Sequence, residues 1–241
     1  MGGDPTMLKR IVLTALAAGA LAGVFMWGIQ AVKVVPLILQ AEVYEEQGAA
    51  APQAHDHGPA AAEAQHSHAA AHDEWQPVEG LERQAFTLLA DLIIGIGFAF
   101  ILVGAVALSG RDLTWRQGIL WGLAGFAAFY GAPAMGLAPE VPGMQAADLV
   151  ARQIWWISTV VATAAGLALA VFSKRAWVVV AGVALILLPH LIGAPTHEPQ
   201  SSLLPAEIAA QFAVASLVTV ELFWMLLGGL TGYFYGRFGR A

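Results

Sequence analysis

Long apolar runs, interrupted by short polar connections, dominate this chain and set its architecture before any single residue is considered. About twenty apolar residues cross a bilayer as a helix. Six runs reach that length: residues 11–32, 85–108, 117–137, 150–172, 176–194 and 206–235. The pattern predicts an all-α integral membrane protein with about six transmembrane helices. Residues 1–7 read as an N-terminal remnant or cytoplasmic tail, and 8–46 as a first transmembrane helix with an outer extension. Residues 47–82 read as an extracytoplasmic loop, 83–236 as five further transmembrane helices and 237–241 as a cytoplasmic tail. The first run follows LKR after Met7 and lacks a convincing cleavage pattern, so it is expected to span rather than to be removed as a signal peptide.

The polar positions orient this arrangement. Lys9, Arg10, Arg111, Arg116, Lys174, Arg175, Arg237 and Arg240 all fall on one side of a six-span layout. Basic residues concentrate on the cytoplasmic side, which predicts that both termini are cytoplasmic in a prokaryotic inner membrane. The opposite connections hold Glu42, Glu45, Glu46, Glu140, Asp148, Glu198 and Glu207. A weak internal repeat also shows. Pro36, Pro133 and Pro189 end the outward runs, while Glu82, Asp148 and Glu207 open the returning ones. GAP recurs at 131–133 and 193–195, and AADLVARQ from Ala146 aligns with PAEIAAQF from Pro205. These features predict three parallel two-helix hairpin repeats.

Composition narrows the function. The chain is 58% hydrophobic and 12% charged, whereas soluble domains carry about a quarter charged residues. A net charge of −6 with scattered bases argues against nucleic acid, and no phosphate-binding Gly-rich motif points to a nucleotide. No enzyme chemistry is expected. Cysteine is absent, which leaves imidazole and carboxylate as the strong metal ligands.

Those ligands are concentrated. The stretch AHDHGPAAAEAQHSHAAAHDE at 54–74 carries His55, His57, His66, His68 and His72, with four acids and no lysine or arginine. Nitrogen and oxygen donors at this spacing suit divalent cobalt, nickel, zinc or copper. The alternative is a solvated spacer. Such a segment buries too little apolar surface to fold alone, so disorder is expected. His197 falls on the same side.

Ionisable groups within spans are costly and mark function by default. At about 1.5 Å per residue, His190 lies roughly 8 Å below the outer end of its span, Asp91 roughly 10–12 Å below, and Glu221 near the midplane. Glu42 and Glu45 crowd the outer end of the first span. Together these form a candidate ladder of metal ligands. Pro189 removes a backbone donor and frees the Leu185 carbonyl beside His190. Structural alternatives stand beside each: His190 as a cap, Asp91 paired with Arg152, and Glu221 hydrogen-bonded to Thr219. Gly19 and Gly23, and likewise Gly228, Gly232 and Gly236, permit close helix approach, either within the chain or as a docking face for another subunit.

Several stretches resemble the CbtA family, membrane subunits of cobalt transporters. They are VVPLILQAEVYE at 34–45 followed by the acidic histidine loop, GLER at 80–83, ILWGLAGFAAFYGAP at 119–133, LAPEVPG at 137–143, ARQIWW at 151–156 and PHLIGAP at 189–195. The resemblance runs from about residue 8 to 235. It implies uptake of cobalt for cobalamin synthesis and a small single-span, histidine-bearing partner subunit of the CbtB type. Family members are usually described with about five spans, one fewer than counted here. Glu42, Glu45 and His190 fall inside the matching stretches.

The expected function is a permease subunit for divalent cobalt, with nickel or zinc as lesser candidates. The loop would capture metal and pass it to the outer carboxylates and imidazole. The rival is a non-transporting metal sensor or scaffold subunit. A haem carrier fits poorly, since only His190 lies inside a span.

Overall fold

The computed structural model describes residues 5–50, 77–78, 80–111, 113–142, 144, 146–196 and 204–239. Regular structure among them is entirely helical. The helices are α1 (Pro5–Lys33), α2 (Val35–Ala50), α3 (Leu81–Ser109) and α4 (Trp115–Phe126). The last runs through a π turn at Ala127–Gly131 into the single turn α5 (Ala132–Ala134). Then come α6 (Leu149–Phe172), α7 (Ala176–Ile192) and α8 (Ala206–Phe238).

Four of these are long and apolar enough to cross a bilayer: Thr6–Lys33, Leu81–Ser109, Leu149–Phe172 and Ala206–Phe238. The chain is therefore a multi-pass membrane protein. The other two expected spans differ from simple crossings. The α7 helix has 17 residues, about 25 Å of rise against a hydrocarbon core of about 30 Å. The run from α4 to α5 changes hydrogen-bond register at the π turn.

The helix ends have identifiable causes. Pro36 would press its ring on the Val32 carbonyl in a continuous helix, so α1 stops at Lys33 and α2 restarts at Val35. A capping box joins Thr114 and Gln117 at the start of α4, and the Asp148 carboxylate accepts from the Ala151 amide at the start of α6. Gly110 closes α3 in the left-handed region with φ 63°, where a side chain would be strained.

Close contacts define how the helices pair. Gly19 lies against Gly95 and Ile96, and Gly23 against Asp91 and Leu92, so α1 and α3 run antiparallel. Gly118 meets Gly228, Gly122 meets Trp224, and Gly232 meets Thr114, which zips α4 antiparallel to α8. Gly166 meets Gly182 between α6 and α7. Of the two uses expected for these glycines, Gly19, Gly23, Gly228 and Gly232 serve close packing against the chain's own backbone. Gly236 is half-buried one turn further along α8. The three-hairpin repeat is not confirmed: α1 pairs with α3 as its first hairpin requires, but α8 packs on α4 and α1, and α7 packs on α6.

Alanines line much of the core, beside buried Val103, Val106, Leu227 and Trp224. Ala15, Ala18, Ala22 and Ala99 are fully buried, whereas Leu108, Leu120 and Ile93 are exposed. Lipid is as apolar as leucine, so close van der Waals fit rather than hydrophobic burial holds such helices together. Where the helices diverge, aromatic rings fill the gap. Phe98 of α3, Phe129 of the π turn and Trp224 of α8 lie in mutual contact, with centroids 4.9 to 5.7 Å apart. At one end of the bundle the Arg10 side chain donates to the Tyr235 carbonyl at 2.7 Å and stacks on that ring. The start of α1 and the end of α8 therefore share a side.

Candidate functional site

At the opposite end, a polar stripe runs inward along α3. Arg83, Thr87 and Asp91 recur every four residues, and Gln84 lies three before Thr87, so all four fall along one helical face. Arg83 pairs with Glu42 of α2 at 2.8 Å, and Trp27 of α1 donates its indole N–H to the side-chain Oε1 of Gln84 at 3.1 Å. The Thr87 hydroxyl donates to the Arg83 carbonyl. At the inner end, Gln30 of α1 donates to Asp91 Oδ1 at 3.3 Å.

Asp91 is the exceptional member. It is only 6% exposed, and its Oδ2 is buried with no hydrogen-bond partner. A buried carboxylate oxygen without a donor is energetically expensive, so this atom is the strongest pointer to a ligand in the stripe.

The remaining expected ligands are distributed elsewhere. Glu45 is exposed on α2. Glu221 is half-buried on α8 and makes no hydrogen bond or ion pair among the described residues, so the expected bond to Thr219 is not formed. Its depth is informative. Thirteen residues separate Arg10 from Gly23 on α1 and Tyr235 from Leu222 on antiparallel α8, so at about equal rise Glu221 reaches the level of Asp91.

His190 occupies a different place. Pro189 lies within the last turn of α7, and its carbonyl accepts from the Trp155 indole N–H at 3.2 Å. The Trp155 ring meets the imidazole edge to face at 5.8 Å, while Nε2 of His190 is buried without a partner. Among the described residues α3 makes no close approach to α6 or α7, so Asp91 and His190 stand on helices that are not direct neighbours. No group of three or more His, Asp or Glu side chains that could hold a metal forms among the described residues. The loop histidines His55, His57, His66, His68 and His72, together with His197, lie outside the described residues.

Two pairings went to partners the sequence did not indicate. Arg152 joins Glu140 at 2.9 Å rather than Asp91, because α6 and α3 are not neighbours. Asp91 instead takes the amide of Gln30, which sequence reasoning passed over. The available signal was a lone amide near the end of an otherwise apolar run.

The chain also matches a known family. The family described as probable cobalt transporter subunit (CbtA) matches residues 8–236. No curated protein and no solved structure matches the chain.

Proposed function

This chain belongs to the CbtA family of probable cobalt transporter subunits, and on that premise we propose that it is the permease subunit for uptake of divalent cobalt, with Asp91 as the first buried acceptor. One observation carries the reading: the unpartnered, buried Oδ2 of Asp91 at the foot of a polar stripe. A divalent cation arriving there supplies the charge that the surrounding helices withhold, and Glu42 and Gln30 offer further oxygens along the approach. Glu42 is held by Arg83, so it joins the ion only when that pair opens. Glu221, at about the same depth, is the second carboxylate available to a descending cation.

In this reading all six apolar runs cross a prokaryotic inner membrane and both termini are cytoplasmic. The histidine-rich loop gathers dilute metal outside, with His197 nearby. Because α3 and α7 are not direct neighbours, delivery that also uses His190 crosses between them, and the small single-span, histidine-bearing subunit implied by the CbtA resemblance is the candidate to assist it. Copper outranks cobalt at generic nitrogen and oxygen sites, so selectivity for cobalt over nickel or copper must come from geometry or from that partner.

The test is cobalt accumulation in cells producing Asp91→Asn. The amide keeps the shape and the Gln30 contact but removes the charge, so accumulation should collapse. Uptake equal to the parent chain would remove Asp91 from the path and with it this account of entry.

A further inference from the structure

Three stretches of the segment that runs from α4 into α6, FYGAP at 129–133, LAPE at 137–140 and ARQIWW at 151–156, converge on one cavity of about 570 Å³ at the end of the bundle away from the termini. Tyr130, Pro139, Glu140, Arg152, Gln153 and Trp156 line it. The convergence has local causes. The π turn shifts the register before Pro133 and carries Tyr130, and the Asp148 cap fixes the first turn of α6, which bears Arg152. None of this chemistry is used by the Asp91 stripe.

The cavity is bipolar. Glu140 and Arg152 pair at 2.9 Å, yet their side chains keep 24% and 30% exposure, so each retains bonding capacity toward the opening. A carboxylate accepts several hydrogen bonds, and a guanidinium carries five N–H donors, more than one contact consumes. The guanidinium makes this a poor cage for a free metal cation. A ligand with both an ammonium and an anion fits better. The remaining wall is apolar: Leu149 and Ile157 also line the cavity and are 63% and 54% exposed. They lie on the first three turns of a membrane-crossing helix, beside Tyr130 and Trp156, residue types enriched where a span leaves the hydrocarbon.

We propose that this cavity binds the headgroup of a phospholipid bearing a primary ammonium, with the phosphate on Arg152, the ammonium on Glu140 and an acyl chain along Leu149 and Ile157. A trimethylammonium headgroup has no N–H to donate to Glu140. A glycerol headgroup brings no cation at all. The site thereby discriminates among lipids of equal chain length.

Native mass spectrometry of the full chain in detergent, titrated with phosphatidylethanolamine, phosphatidylcholine and phosphatidylglycerol of matched chains, tests this. The ethanolamine lipid should be retained roughly tenfold more tightly than the other two, the scale of one charge-assisted hydrogen bond. The double variant Glu140→Gln/Arg152→Gln, which leaves no charge unpaired, should keep the charge-state distribution of a folded protein and lose the preference. Equal retention of the three lipids, or an unchanged preference in the double variant, overturns the proposal. Soluble phosphoethanolamine should fail to displace the lipid, because it lacks the chain that lies on Leu149 and Ile157. Full displacement overturns the lipid as the source of the headgroup. Cobalt uptake is not the readout, so the result stands apart from the Asp91 reading.

Discussion

Replacing Gly118 by alanine should loosen the seam between α4 and α8, and the size of the effect follows from two distances. A Cβ at Gly118 falls 2.1 Å from the Gly228 carbonyl oxygen, and one at Gly228 falls 2.2 Å from the Gly118 carbonyl oxygen. Real Cβ atoms essentially never come within 3.0 Å of such a neighbour, so the helices must part by about 0.9 Å at this level. The obstacle is backbone, which no rotamer change relieves. A gap of 0.5–1 Å forfeits about a quarter to a half of the dispersion attraction of each facing atom pair. Overpacking of this kind costs ~1–3 kcal/mol, and each kcal/mol lowers the Tm of a chain this size by roughly 2–4 °C. Thermal unfolding in a mild detergent should therefore show a Tm roughly 2–12 °C below the parent. Gly97→Ala and Gly104→Ala are the internal controls, because a Cβ at either meets nothing within 4 Å. They should be neutral or slightly stabilising, as alanine favours helix over glycine by about 1 kcal/mol. If Gly118→Ala melts together with the parent and the two controls, close glycine packing is not what holds α4 to α8.

The other expectations are briefer. Thr114→Ala removes the capping box of α4 and should cost about 1 kcal/mol, read as a small drop in Tm that Thr114→Ser largely restores. Trp155→Phe keeps the ring beside His190 but removes the donor to the Pro189 carbonyl; a loss of about 1 kcal/mol is expected, and an unchanged melt would show that this bond contributes nothing net. Arg10→Met takes away the hydrogen bond and the ring stacking on Tyr235, so limited proteolysis should cut the end of α8 sooner than in the parent. Deleting residues 51–73 should leave cobalt accumulation intact at saturating metal and reduce it at low metal, whereas a sensor would lose its response at every concentration.

What the linear chain determined was a solvent preference. Runs of apolar residues with so few charges have one stable environment, a bilayer, and backbone groups there must bond within helices, so class and approximate helix positions were legible from composition and length alone. The family was legible too, through stretches such as LAPEVPG and ARQIWW whose residues are not interchangeable with generic lipid-facing ones. The pairing of helices was not. In a membrane every apolar face is equally content with lipid, so hydropathy holds no record of which helix touches which, and the choice falls to close steric fit. Glycine spacing hinted at such fit but did not say that Gly228 meets Gly118 rather than another subunit. The candidate site followed the same division: Asp91 and His190 stood out because charge and imidazole are rare at depth. That Asp91 takes Gln30, that Arg152 takes Glu140, and that His190 belongs to a separate helix pair were decided only when the α1–α3, α4–α8 and α6–α7 seams closed.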